Sequence, residues 1–348
     1  MHNYFLPDPG EKSLHSTFLD ALIEELGDSS PTTEELTKTI KTSIDEFVPI
    51  ICEAIQRASK SELAREKQRT NGFQKRNRKR WKSGFDIAHT MLLVSQDLGS
   101  FVLRDKDNTV QNQPAKLHAI AVLHAKSLRV GREVLCLLEN GFPDGALGRW
   151  RTLHETSTVA SFLSNNDESL SVRFLLARTV QSYKAALQYK RYEERANLLP
   201  FAQDDIERLK LRSDEILSTH GEQMKDDWGW ASAALKKNKV TFADIEAACQ
   251  LDHWRPRYKW ASEDTHGNYK PNETHLAMNE AKEHLLVAGR SNSGMKDPGQ
   301  MLGCSIQLAA TSLLGLNKSL DVQVGLQALG VLNSQLSDAL ILVTENAS

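Results

Sequence analysis

Residues 145–163 read GALGRWRTLHETSTVASFL. At about 100° per residue, Ala146, Trp150, Leu153 and Ala160 fall on one side of a helix, and Val159, Phe162 and Leu163 on the other. A helix apolar nearly all round belongs inside a core of other helices. Yet this one carries Arg149, Arg151, His154 and Glu155. Buried charged groups cost several kcal/mol unless they are paired and hydrogen-bonded. These four side chains must therefore find partners, or meet a cavity that water or a ligand reaches.

Working outward, helical periodicity continues in both directions. LHSTFLDALIEELG places Phe18, Leu19, Leu22, Ile23 and Leu26 on one face. A second helix starts at Ser30-Pro31, with proline in the first turn, or at Thr32 with Glu35 as a capping box, and runs to about Ser59. Asn71-Gly72 predicts an interruption before a helix from Phe73 to Val102. Pro114 opens a helix that ends at Gly141, and Asp144 is placed to cap the quoted helix. Asn165-Asn166-Asp167 separates that helix from one running to about Leu198. Further helices are expected at 202–219, 241–250 with Thr241 as cap, 254–265, 300–317 and 321–344.

Only 267–300 lacks the pattern, apart from a short turn around 276–286, and no stretch alternates long enough to form a sheet. The fold class is all-α: a multi-helix bundle, residues 61–348, with an N-terminal helical hairpin extension over residues 1–60.

Composition narrows the function classes. In 348 residues, 40% are apolar and 25% charged, ordinary values for a globular chain. A formal charge of −2 excludes a surface that is basic all over, so a nucleic-acid contact would have to be local. Cys52, Cys136, Cys249 and Cys304 are far apart, and Cys136 and Cys304 lie in apolar helical patterns. They read as buried reduced thiols, not as a disulfide framework or zinc site. No secretory signal opens the chain, and the apolar stretch 302–316 is short of the roughly 20 residues that span a bilayer. The expectation is a cytoplasmic protein with no membrane contact.

Within the quoted helix, Arg151 and Glu155 are four apart and form a natural ion pair, while Arg149 points about 200° away from Arg151. Arg149 and His154 form an R-x4-H pair. That spacing is similar to the motif of HEPN domains, all-α bundles of which some are metal-independent ribonucleases. The resemblance implies an arginine holding phosphate, a histidine in acid–base or positioning chemistry, and a homodimer. The chemistry suits a group that titrates near neutrality beside a fixed cation.

GFPDGALGRWRTLHETSTVASFL, then DWGWA at 227–231 and YKWASEDTHGNYK at 258–270, resemble a bacterial family of uncharacterised proteins, domain of unknown function 5677. This resemblance covers roughly residues 70–320. It implies that Arg149, Arg151, His154, Glu155 and His266 are to be considered together.

KQRTNGFQKRNRKRWK, 67–82, carries eight basic residues and no acidic one, with Phe73 and Trp81 interleaved. Lys75, Arg76, Arg78, Lys79 and Arg80 would contact RNA there, although such a run also describes a solvated helix side. Glu263-x-x-His266 matches half of a di-iron motif whose second half is missing, and no nucleotide-loop or zinc-finger spacing occurs. No cofactor or metal is expected.

Two readings follow. In one, the protein is an RNA-directed, HEPN-like ribonuclease with a toxin or defence role: Arg149 and His154 do the chemistry, and Arg151, Glu155 and His266 support them. In the other, it is a non-catalytic helical interaction or regulatory module whose polar cluster is structural. A small-molecule enzyme using Glu155 and His266 ranks below both, for want of a cofactor motif.

Overall fold

The capping box at Thr32 forms as read. The Thr32 backbone N–H and hydroxyl donate to Glu35 Oε2 at 2.9 and 2.8 Å, and the Glu35 N–H donates back to Thr32 Oγ1 at 3.3 Å. It opens a long helix, α1 (Thr33–Arg104), in a computed structural model that describes residues 20, 23–24, 32–267, 269–281 and 288–345. The first helix of the expected hairpin lies almost wholly outside the described residues. Asn71-Gly72 does not interrupt α1. Asparagine and glycine together cost a helix only about 1.5 kcal/mol, which the Glu-, Ala-, Lys- and Arg-rich turns around them offset.

The chain divides into two compact units, Met1–Arg76 and Asn77–Ser348. The remaining helices belong to the second: α2 (Pro114–Glu139), α3 (Pro143–Ser164), α4 (Glu168–Tyr192), α5 (Gln203–His220), α6 (Ser232–Leu235), α7 (Phe242–Ala248), α8 (Arg255–Glu263), α9 (Lys296–Leu314) and α10 (Leu320–Glu345). Among the described residues there is no strand, only an isolated bridge between Thr109 and Asn317. The protein is an all-α multi-helix bundle.

The quoted stretch is its centre. α3 packs against α2, α9 and α8, while α9 also packs on α2 and α10. Leu147, Trp150, Leu153 and Leu163 of α3 are fully buried with Leu135 and Leu138 of α2 and Leu302, Ile306 and Leu313 of α9. Each such side chain contributes about 1.5–3 kcal/mol of burial. The α2–α3 turn is short because Gly141 takes φ 83° and Pro143 starts the next helix.

Asp144 does not cap α3. Its carboxylate accepts the Leu276 and Ala277 backbone N–H groups at 2.7 and 3.0 Å, tying a distant segment to the start of the helix. Thr241 does cap α7, in a box with Asp244. All four cysteines are free, but Cys136 is exposed and not buried as its apolar neighbours suggested, because it lies on the flank of α2 away from the core. α10 buries Val322, Leu329, Leu336 and Leu340 and leaves Leu320, Val324, Val331 and Leu342 exposed. It is the one helix among the described residues long and apolar enough, by composition, to cross a membrane.

Candidate functional site

His154 sits on α3 and is 3% exposed. Its ring stacks on Trp150, one turn earlier, with centroids 5.1 Å apart, and meets the edge of Phe242 at 5.8 Å. Trp150 is itself anchored by its indole N–H, which donates to the Met301 carbonyl and to Ser305 Oγ, each at 3.0 Å. The partner of His154 is Glu246 on α7. Its side chain is fully buried, and Oε1 lies 2.9 Å from His154 Nε2. A carboxylate only accepts, so Nε2 carries the proton. Arg255, at the start of α8, donates to the other oxygen, Oε2, at 2.6 Å. A buried carboxylate is thus held from both sides, the condition under which such a charge is tolerated.

The sequence offered a signal for Glu246 that periodicity obscured. In FADIEAAC, Phe242, Ile245, Glu246 and Cys249 share one helix face, so Glu246 occupies a position that an apolar residue would take.

A second cluster lies beside the first. Arg151 and Glu155 form the expected ion pair at 3.4 Å, and the Tyr258 hydroxyl donates to Glu155. Burial, and then that hydrogen bond, push the Tyr258 hydroxyl up to about 12. The Tyr258 ring stacks with the guanidinium groups of Arg151 and Arg255, each 4.8 Å from its centroid, which joins the two clusters. Arg151 also donates to Thr265 at 3.3 Å.

Arg149 is not part of either cluster. It leaves α3 on the opposite flank, pairs with Glu133 of α2, and lines a separate recess with Arg129, Arg132, Cys136 and Leu137. His266 is exposed in the turn after α8 and makes no hydrogen bond or ion pair among the described residues. The structure therefore brings Arg151 and Glu155 close to His154, and leaves Arg149 and His266 apart from it.

His154 lines a hollow of about 280 Å³ whose other walls are Leu251, Trp254, Ser305, Leu308, Thr311 and neighbours on α9 and α10. Among the described residues, no lysine or arginine lines it.

The basic run is divided between the two units. Lys75 and Arg76 are exposed in the first, and Lys79 is exposed in the second. Arg78 pairs with Glu139 at 2.9 Å and Asp86 at 3.3 Å. Arg80 pairs with Glu280 at 2.9 Å and stacks on Trp81, whose indole N–H donates to the Asn292 carbonyl.

Residues 117–284 match the model of a family of unknown function, DUF5677. The match covers just under half of the chain. No curated protein and no solved structure matches the chain. The DUF5677 segment is shorter than the resemblance over 70–320 suggested. It contains both polar clusters entire: His154, Glu246 and Arg255, and Arg151, Glu155 and Tyr258. α9 and α10, which supply the far wall of the hollow, lie outside it.

Proposed function

We propose that this protein is a non-catalytic helical interaction or regulatory module, and that its Arg/His/Glu cluster serves to fasten α3, α7 and α8 together. The observation that carries this reading is the Glu246 carboxylate, fully buried and held by His154 and Arg255. Three helices share one charged junction, and each loses a partner if it moves.

A metal-independent ribonuclease needs a phosphate-holding cation and an acid–base histidine converging on one point. Arg149 is paired with Glu133 on the far flank, and among the described residues no lysine or arginine lines the hollow beside His154. Those two facts weigh against the HEPN-like reading and its toxin or defence role.

The deciding experiment is RNA cleavage by the purified protein with chelator present, wild type against His154→Ala, with melting temperatures taken in parallel. The expected result is no cleavage by either protein and a lower melting temperature for the variant. Chelator-resistant cleavage by wild type, lost in a variant that still folds, would establish the ribonuclease reading instead.

A further inference from the structure

Four ionisable side chains from two separate stretches converge at the start of α3. They are Asp144, the second residue of α3; Asp264, which follows α8; Lys270; and His275, between two short 3₁₀ turns. His275 Nδ1 lies 3.4 Å from Asp144 Oδ1 and 3.9 Å from Asp264 Oδ1. The donor atoms of Asp144, Asp264 and His275 all fall within 4.8 Å of one another. The Lys270 ammonium is 2.7 Å from Asp264 Oδ1 and 3.6 Å from Asp144 Oδ1.

Two features distinguish this group from a surface acidic patch. The Asp264 side chain is 6% exposed, and its Oδ2 is buried without a hydrogen-bond partner among the described residues. A buried carboxylate oxygen left unpaired costs roughly 1–3 kcal/mol, which a ligand at that place would recover. Asp144 is held in orientation by the Leu276 and Ala277 backbone N–H groups, the kind of outer contact that fixes metal ligands.

We propose that Asp144, Asp264 and His275 form a binding site for a divalent first-row transition-metal ion, and that the Lys270 ammonium is the cation it displaces. Two carboxylates and one imidazole are a donor set for zinc, manganese or iron, with a position left for water. Metal–ligand bonds of about 2 Å put neighbouring donors about 3–3.5 Å apart. The His275–Asp144 spacing already meets that, and Asp264 has to approach His275 by about half an ångström. With two negative charges from Asp144 and Asp264, a divalent ion neutralises the site fully where the single charge of Lys270 does not. The bound ion would clamp the 264–277 segment onto the start of α3.

The test uses the full chain freed of metal with chelator, titrated with Zn²⁺ alone and with Mn²⁺ alone, by calorimetry and thermal melting. Wild type is expected to bind one ion and melt at a higher temperature with it. Asp264→Asn and His275→Ala should lose that binding while keeping every other histidine and cysteine. Lys270→Met should bind about tenfold more tightly than wild type, because the competing cation is gone. No binding by wild type, or binding that survives unchanged in both ligand variants, overturns the proposal. So does a Lys270→Met protein that folds but binds no better than wild type.

Discussion

Replacing His154 with alanine withdraws one of the two groups that hold the Glu246 carboxylate. Breaking a buried pair by removing one partner typically costs about 3–5 kcal/mol, because the other charge stays behind uncompensated. Arg255 remains on Oε2, and the adjoining hollow can admit water to Oε1, so the electrostatic part belongs at the low end, about 3 kcal/mol. The lost ring also leaves Trp150 and Phe242 without their contact, for about 1 kcal/mol more. A total of roughly 4 kcal/mol in a domain of this size lowers the melting temperature by roughly 8–12 °C, at 2–4 °C per kcal/mol with the larger size favouring the low end. Differential scanning calorimetry reads this directly. A double-mutant cycle with Glu246→Ala separates the pair from the packing, and should return a coupling of at least about 1 kcal/mol. A variant that melts within about 2 °C of wild type, with coupling near zero, would refute the reasoning. The histidine would then be dispensable to the fold and free for chemistry.

His124 is buried against Ser95, and burial alone lowers its imidazole from 6.5 to about 4. The unfolded chain therefore takes up a proton at this site before the folded one does. Stability present above pH 6.5 should fall by about 3 kcal/mol as pH drops to about 4, at 1.36 kcal/mol per pH unit, and urea melts of His124→Gln across that window should lack most of this limb. Gly229 in DWGWA leaves no room for a side chain, since an added Cβ would lie 1.5 Å from the Gln223 carbonyl oxygen. Gly229→Ala should cost roughly 3 kcal/mol or more by forcing that turn open, and near-wild-type thermal stability would contradict it. Asp244→Ala removes half of the α7 capping box and should destabilise by about 1 kcal/mol, measured by chemical denaturation. Because Arg78 and Arg80 are already paired with carboxylates, neutralising them should leave any RNA affinity and its salt slope nearly unchanged. A slope reduced by about two would show that they contact phosphate.

Much of the architecture was legible in the chain alone, because helix formation answers to local rules. The all-round apolar character of 145–163 marked the central helix, and the Thr32–Glu35 and Thr241 caps and Pro114 marked helix starts, all within a few residues of the features that determine them. Arg151 and Glu155 could be paired for the same reason, since i and i+4 on one helix are neighbours in space. What failed was reading locally what is decided at a distance. Asn71-Gly72 looks like a break, but the helix formers on either side outweigh it. Asp144 looks like a cap for its own helix, yet its partners are 132 and 133 residues away. His154 had Glu155 next to it in sequence and bonds instead to Glu246, 92 residues on, because adjacent residues on a helix face different directions. Arg149 and His154, five residues apart, open onto different surfaces for that same reason. Sequence spacing determined which helices form and which of their faces are apolar. Only the packing of those faces decided which charges meet, because a buried charge must be satisfied by whatever the neighbouring helix brings within reach.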